Sequence, residues 1–449
     1  MKYGDIMIRT AEKELVFWKD QINRLPLLIR GARQVGKSYL VENFAKSYFQ
    51  DTVIVNFDFE PKFKDCFTSK DPFKITQEIE LLTGKKIIPQ KVLLFLDEIQ
   101  ECPMAIKSLR YFKEKYPQLH VIAAGSLLEF TLNSDEISMP VGRVRSIYLR
   151  PLSFEEYLLA KDRNDLLDYL SNINFMKDKI SESVHHLLLE LIREYFIIGG
   201  MPQVIDAYLK EKSYLQALKF QEDILEFYKR DFYKYPKKIN TQLAAKIFSK
   251  AFLFVGRRFR FSELDPDVQA RDQKPVLEAL SLANVITKVF HSSAGQSPLE
   301  VGINDRYFKL LFLDIGLNAK ASKISVEHFL GSNAPILNQG MLCEQFVGQE
   351  LQAYHFRPYF WQREKKGSQA EIDFLIEHHG KIYPIEVKSG TTGRLMSLQV
   401  FKEEKKIPLG IRISAKPLEW NKEKGILSIP FYLIWKLESI LQRLSIEII

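Results

Sequence analysis

At 449 residues the chain is too long for one ordinary core, and a length prior suggests roughly three domains. Its 46% hydrophobic and 27% charged residues are ordinary for a soluble globular protein. No apolar run approaches the ~18 residues of a membrane span, and the N-terminus lacks a signal peptide's apolar core. The formal charge of +8 permits an anionic partner without identifying one. Cys66, Cys102 and Cys343 have no pair spacing and read as buried small hydrophobes in a reducing, cytoplasmic setting. No Cys or His cluster has the ligand spacing of a zinc site.

Residues 1 to about 24 carry Ile6, Ile8, Ala11, Leu15 and Trp18 at near-helical spacing, which predicts an amphipathic helix. Leu25–Ile29 is a short apolar run that reads as a buried parallel strand. Arg30-Gly31-Ala32-Arg33-Gln34-Val35-Gly36-Lys37-Ser38 follows and fits G-x-x-x-x-G-K-[ST], the phosphate-binding loop of nucleoside triphosphatases. Gly31 and Gly36 let the backbone turn so that successive N–H groups face an anion at a helix N-terminus. Lys37 is expected on the β- and γ-phosphates and the Ser38 hydroxyl on Mg²⁺. Tyr39 to Phe49 lacks Gly and Pro and reads as the helix that this loop requires. Gly31, Ala32, Arg33, Gln34, Val35, Gly36, Lys37, Ser38 and Tyr39 are the expected nucleotide contacts.

Thr52–Phe57 reads as a second strand, and residues 61 to 90 as helical with breaks at Pro72 and Gly84. Lys91–Leu96 is a continuous apolar strand running into Asp97-Glu98. Acids at the C-terminal end of a central strand lie where an α/β sheet binds its ligand. Asp97 is placed to hold the Mg²⁺ shell and Glu98 to polarise the attacking water; the alternative is two acids capping the helix that starts near Pro103. His120–Ser126 is a further buried strand, and Arg145–Leu149 a fifth. Just before the latter stand Gly142-Arg143. Arg143 either reaches the γ-phosphate of a neighbouring subunit, where an added guanidinium assists phosphoryl transfer, or is an exposed loop residue paired to a Glu of its own subunit.

Gly31–Ser38, Leu96-Asp97-Glu98-Ile99-Gln100, Gly125-Ser126 and Gly142-Arg143, followed by Leu149–Tyr157, together resemble a bacterial and archaeal family of AAA-type ATPases. In that family the ATPase is fused to a C-terminal domain of restriction-endonuclease-like fold, and the likeness runs along nearly the whole chain. It implies that Ser126 occupies the place of a polar γ-phosphate sensor, and that the helix-rich stretch to about 235 is a lid. Within it, Gly199-Gly200-Met201-Pro202 reads physically as a tight turn between two helices.

Leu243–Val255, Phe261–Leu264 and Lys274–Leu282 read as helices, and Val285–Phe290 and Ser297–Ile303 alternate like the two strands of a wing. That order suits a winged helix-turn-helix. Arg257-Arg258-Phe259-Arg260 is either a phosphate-contacting run or a solvated loop.

Downstream, Asn338–Tyr354 reads as a helix carrying Glu344, and Ala370–Glu377 and Ile382–Lys388 as two strands joined at His379-Gly380 by a two-residue hairpin turn. Counting back from a 378–381 pair puts Asp373 opposite Glu386 and Glu371 opposite Lys388, with Ile372, Phe374, Ile385 and Val387 on the other, core-facing side. Opposed carboxylates ~5 Å apart need a positive charge between them, and hard oxygen ligands suit Mg²⁺ or Mn²⁺. Asp, then Glu-x-Lys, resembles restriction-endonuclease-like phosphodiesterases, which implies metal binding by Asp373, Glu386 and Glu344 and a water-positioning role for Lys388. Ile372 departs from the Pro that many members carry before the Asp. The alternative is a surface ion pair between Lys388 and Glu371. Arg363, Lys365, Lys366 and Arg394 flank the site and suit a phosphate backbone.

The expected fold is α/β throughout. Residues 1–151 form a parallel-sheet P-loop AAA ATPase core and 152–238 a helical lid. Residues 239–322 form a winged helix-turn-helix and 323–449 an α/β restriction-endonuclease-like domain. The expected function is Mg²⁺-dependent ATP hydrolysis coupled to a nuclease-like domain that acts on or binds nucleic acid. The competing expectation is an ATP-driven switch for a protein partner, its nuclease-like module inactive. A homo-oligomer is consistent with either, and no membrane association is expected.

Overall fold

The computed structural model describes residues 7–132, 142–174, 177–235, 239–326, 340–363, 370–390 and 395–447. The chain divides into two compact units, Met1–Pro151 with Leu282–Asn284, and Leu152–Ser281 with Val285–Ile449. Lys365, Lys366 and Arg394 lie outside the described residues.

The first unit is built on five parallel strands, Leu27–Arg30 (β1), Asp51–Asn56 (β2), Val92–Asp97 (β3), His120–Ala124 (β4) and Arg145–Tyr148 (β5), in the order β2-β3-β4-β1-β5. Every residue of β3 and of β4 is buried, which explains why these segments read as unbroken apolar runs rather than alternating ones. Val53, Val55, Leu94, Leu96, Val121 and Ala123 pack on one side against Ile75, Ile79, Ile106, Leu109 and Phe112. Leu93, Phe95 and Ile122 are displaced by one residue and point to the opposite face. β1 lies between β4 and β5, so the loop that follows it opens at the C-terminal edge of the sheet, level with the end of β3. The N-terminal helix is shorter than its apolar spacing suggests, Glu12–Lys19.

The second unit is helical from Phe154 to Asp231, in the helices Phe154–Ala160, Asn164–Asn172, Glu182–Ile198, Pro202–Glu211 and Tyr214–Asp231. Gly199-Gly200 is a turn between two of them, and a buried carboxylate dictates its composition. Gly199 has φ +74, and a Cβ there would stand 2.2 Å from Asp314 Oδ1. Gly200 N donates to Asp314 Oδ2 at 2.6 Å and Leu317 N to Oδ1 at 2.9 Å. Burial pushes Asp314 up to about 6 against these backbone donors. Gly199 must be glycine because it wraps this carboxylate, and Gly200 because a Cβ there would stand 2.2 Å from the Leu152 carbonyl oxygen.

An eight-stranded sheet follows, ordered β12-β13-β11-β10-β9-β8-β6-β7. Its members are Ile286–Ser292 (β6), Ile303–Phe312 (β7), Tyr359–Gln362 (β8), Glu371–His378 (β9), Lys381–Val387 (β10), Gly410–Ser414 (β11), Glu419–Asn421 (β12) and Ile426–Pro430 (β13). The hairpin expected as a wing is β6–β7, and it corrects the sequence reading in one respect. Ser297–Ile303 is not its second strand, since Leu299–Gly302 is a 3-10 turn and the strand begins at Ile303. β6 in turn pairs with β8 through His291 and Phe360, so the hairpin continues the sheet. The helices Thr241–Ala251, Phe261–Leu264 and Ala270–Leu282 precede it.

Candidate functional site

The loop after β1 has the backbone its glycines predict. Gly31 has φ +137 and Gly36 φ +90. A side chain at Gly31 would also stand 2.1 Å from the Leu149 carbonyl oxygen. The helix Lys37–Tyr48 starts immediately after Gly36, so the turn delivers its first N–H groups to the sheet edge. Ala32 and Val35 are buried beneath the loop.

Lys37 is 7% exposed, and its Nζ donates to the carbonyls of Gly31 at 3.1 Å and Ala32 at 2.7 Å. Burial lowers its pKa to about 8, opposed by Glu98 and Asp97 and reinforced by Arg33. The ammonium is thus held across the loop it serves, in a site that disfavours its charge. Ser38 Oγ donates to Asp97 Oδ2 at 2.9 Å, and Asn56 Nδ2 donates to the same oxygen at 3.2 Å. Burial raises the Asp97 pKa, with the Ser38 hydrogen bond opposing. A hydroxyl and a carboxylate converging at the end of β3 form a hard-oxygen pair suited to Mg²⁺, and the residues present fit that ion.

Glu98 takes left-handed backbone angles, φ 49, which swings its side chain away from the strand direction. Gln100 Nε2 donates to Glu98 Oε2 at 2.6 Å and Ser126 Oγ to the same oxygen at 3.2 Å. Ser126 therefore stands beside the expected water-polarising carboxylate. Gly125 makes room for this: a Cβ there would be 2.4 Å from Gln100 Oε1.

Arg143 lies just before β5, whose Arg145 pairs with Leu27 at the start of β1. It is therefore at the opposite end of the strands from Lys37, with its Nε 3.3 Å from Glu114 Oε1. Of the two readings of this arginine, the structure contains the ion pair within the subunit. Tyr39 is 41% exposed, and its hydroxyl accepts from Met7 N at 3.0 Å.

Sequence reasoning missed Arg9. It is 5% exposed and donates through Nη1 to the Val35 carbonyl at 2.8 Å and through Nη2 to the Arg150 carbonyl at 2.5 Å. It fastens the phosphate loop to the strand end beside it. Asn56 and Gln100 were also missed. An amide at the end of the strand next to an acidic strand end was a usable signal for Asn56; Arg9 had none.

In the second unit, β9 and β10 pair with Lys381 opposite His378 and Ile385 opposite Phe374, the register counted from the turn. Ile372, Phe374, Ile385 and Val387 are buried as expected. Val387 N donates to Asp373 Oδ2 at 2.7 Å. Lys388 Nζ meets Glu386 Oε1 at 2.6 Å, so its partner is Glu386 and not Glu371. Glu386 is 5% exposed, so this end of the acid-bearing face is covered, whereas the Glu371 side chain remains a third exposed.

The charge among these acids comes from a residue sequence reasoning did not consider. Lys309 of β7 is 2% exposed, forms an ion pair with Glu371, and stands 3.4 Å from Glu344 and 3.9 Å from Asp373. Burial pulls its pKa down, but Glu344, Asp373 and Glu371 together leave it above the ordinary lysine value. Burial pushes Glu344 up to about 8 and, with Asp373 adding to it, Glu386 up to about 7. Among the described residues no group of three or more His, Cys, Asp or Glu is arranged to hold a metal ion. The cation sought from Asp373, Glu386 and Glu344 is matched here by an ammonium, and with Lys309 in place the cluster does not fit a divalent ion.

The basic run after Gly256 is occupied locally. Arg257 lies over the Phe254 ring at 4.6 Å, Arg258 over Tyr307 at 3.6 Å, and Arg260 pairs with Glu263 at 3.4 Å. Arg363 pairs with Glu404. Among the described residues, no helix is long and apolar enough to cross a membrane.

Comparison with known families places an AAA domain at residues 23–158. A domain of unknown function (DUF8612) matches residues 189–328 and another (DUF4143) residues 339–432. No curated protein sequence matches the chain. Among solved structures, it is similar to a Walker-type ATPase of Pyrococcus abyssi, at 15% identity, 71% of this chain, 97% of that one and a TM-score of 0.44. It is also similar to the Aeropyrum pernix ORC2 protein in ADPNP–ADP complexes, at 12% identity, 71% and 94% coverage and a TM-score of 0.35. AMPPCP-bound DnaA from Aquifex aeolicus shares 14% identity over 61% of this chain and 86% of its own, at a TM-score of 0.25. These backbone likenesses are loose, and the assignment rests on the AAA match and the loop geometry. Residues 23–158 match an AAA domain, and the loop and strand ends within them have the geometry of a P-loop nucleotide-binding site.

Proposed function

We propose that the first unit binds and hydrolyses ATP with Mg²⁺, and that its nucleotide state governs the second unit. The observation that carries this reading is the convergence of Lys37, Ser38, Asp97, Glu98 and Ser126 at one edge of the sheet, on a loop whose glycines cannot be exchanged. The N–H groups from Ala32 to Tyr39 receive the phosphates. Lys37 leaves the carbonyls of Gly31 and Ala32 for the β- and γ-oxygens, where its charge is compensated. Ser38 and Asp97 would hold the Mg²⁺, which when bound would neutralise phosphate charge.

Glu98 accepts a proton from, or orients, the attacking water. Ser126 can donate to Glu98 or to a γ-phosphate but not fully to both, so phosphate arrival loosens one of the two hydrogen bonds that hold Glu98. This makes Ser126 a sensor by competition. Arg143 can act only on the nucleotide of a neighbouring copy, since it lies at the far end of its own sheet; that role requires a homo-oligomer and release from Glu114.

For the second unit we propose a lid in the helices to about 235 and a restriction-endonuclease-like C-terminal region as a nucleic-acid or protein contact. The buried pairing of Lys309 supports the version in which that region does not cleave. Purified protein is expected to turn over ATP and Lys37→Ala to lose at least a hundredfold in rate, about 3 kcal/mol of transition-state stabilisation. Equal turnover by the variant refutes the assignment.

A further inference from the structure

The acid cluster of the second unit carries an inference that does not depend on the ATPase reading. We propose that Lys309 is the resident cation of this cluster, closing a latent divalent-metal site that its removal would open.

The argument starts from where the charges come from. Glu344 is on the helix Gly340–Ala353, Glu371 and Asp373 are on β9, Glu386 is on β10 with Lys388 just beyond it, and Lys309 arrives from β7. Four carboxylates from three elements gather on one partly buried sheet surface, from Glu386 at its covered end to Glu371 at its more exposed one. Such a group requires compensation, because like charges directly opposed on strands repel and a buried charge without a partner is costly. Lys388 compensates only one oxygen, Glu386 Oε1 at 2.6 Å. Glu386 Oε2 is buried without a hydrogen-bond partner, so the cluster retains unused acceptor capacity.

Lys309 Nζ supplies the rest. It reaches Glu371, Glu344 and Asp373 together, and the Phe360 ring lies 5.3 Å from it on another side. The Lys309 ammonium has three carboxylates around it and so takes up oxygens that a divalent ion would need. A second cation bound to the same oxygens would lie within about 4 Å of it and be repelled strongly at low effective dielectric. At 2% exposure, Lys309 cannot leave for water without moving its strand. The two cations therefore exclude each other, and the fold contains one of them.

The test uses the full-length chain without nucleotide and Mn²⁺ as the probe, followed by electron paramagnetic resonance and equilibrium dialysis. Wild type is expected to show no tight Mn²⁺ site sensitive to Asp373→Asn. Lys309→Met is expected to gain one such site per chain, at least about tenfold tighter than any binding by wild type, and to lose it in Lys309→Met/Asp373→Asn. Its thermal midpoint is expected to fall in EDTA and recover with Mn²⁺. Tight Mn²⁺ binding by wild type that Asp373→Asn removes overturns the proposal, as does folded Lys309→Met with no gained site. If Lys309→Met does not fold, amine acetylation read by mass spectrometry decides on wild type. Lys309 unmodified with and without millimolar Mn²⁺ supports the proposal, and labelling that appears with Mn²⁺ overturns it.

Discussion

Lys37 makes nucleotide binding a proton-uptake reaction at alkaline pH. In the free protein its pKa is lowered to about 8 because burial disfavours the charge more than Glu98 and Asp97 restore it. Phosphates add two or more negative charges beside the ammonium, which returns the bound-state value to the ordinary lysine range or above. At pH 9 a group of pKa about 8 is charged in roughly one molecule in eleven, so binding takes up about 0.9 of a proton. At pH 7 the free lysine is already about 90% charged and contributes only ~0.1. Affinity falls about tenfold per pH unit above 8, a loss of ~1.4 kcal/mol each. The assay is titration calorimetry with a non-hydrolysable ATP analogue at pH 9, in buffers of different ionisation enthalpy, where the slope of heat against buffer enthalpy counts protons. The nucleotide is fully ionised at that pH and adds nothing to the count. A slope near zero with binding intact refutes the reasoning. Lys37→Arg, charged at every accessible pH, should remove the slope wherever it still binds.

Two further outcomes follow from backbone geometry and burial. Gly31→Ala places a methyl 2.1 Å from the Leu149 carbonyl oxygen in a backbone region reserved for glycine. Strain of about 1–3 kcal/mol should appear as a lower urea midpoint, together with lost binding of a fluorescent nucleotide; unchanged binding would show that the loop does not need this turn. His120 is buried with its ring against Trp18 and Phe49, and burial lowers its pKa from 6.5 to about 4. The unfolded chain binds the extra proton between these values, so stability is present above pH 6.5 and is lost as pH falls towards 4. The loss reaches about 2–3 kcal/mol near pH 4.5. His120→Phe keeps the ring packing and should flatten that part of the stability–pH curve, measured by denaturation at several pH values; an unaltered curve would assign the acid sensitivity elsewhere.

What could be read in advance divides by the range of the interaction. The phosphate loop, the acid pair ending β3 and the hairpin register at His379-Gly380 are all local, because glycine placement, apolar continuity and two-residue periodicity are written in consecutive residues. Arg9 and Lys309 act through partners far away in sequence, Val35 and Arg150 for one and Glu344, Glu371 and Asp373 for the other. Nothing adjacent to either announces the pairing. Lys309 was further hidden by a strand misplaced to Ser297–Ile303. That stretch alternates, but Pro298 and Gly302 suit the turn found there, whereas the actual strand is buried without a break from Phe308 to Phe312. Gly199-Gly200 was legible as a turn, while the reasons for its two glycines lie far off in sequence, Asp314 for Gly199 and the Leu152 backbone for Gly200.

The pairing of β6 with β8 bears on how this chain can be cut or recombined. Two family borders fall between residues 328 and 339, yet β6 and β7 before them and β8 to β13 after them hydrogen-bond into one sheet. Severing the chain at that border would remove the His291–Phe360 pairing and leave β8 with β9 as its one neighbour, so that its other edge is unpaired, the kind of surface on which strands of other molecules add. It would also separate Lys309 from the carboxylates it balances. A partner swapped in for either segment must bring both a matching strand edge and a matching charge.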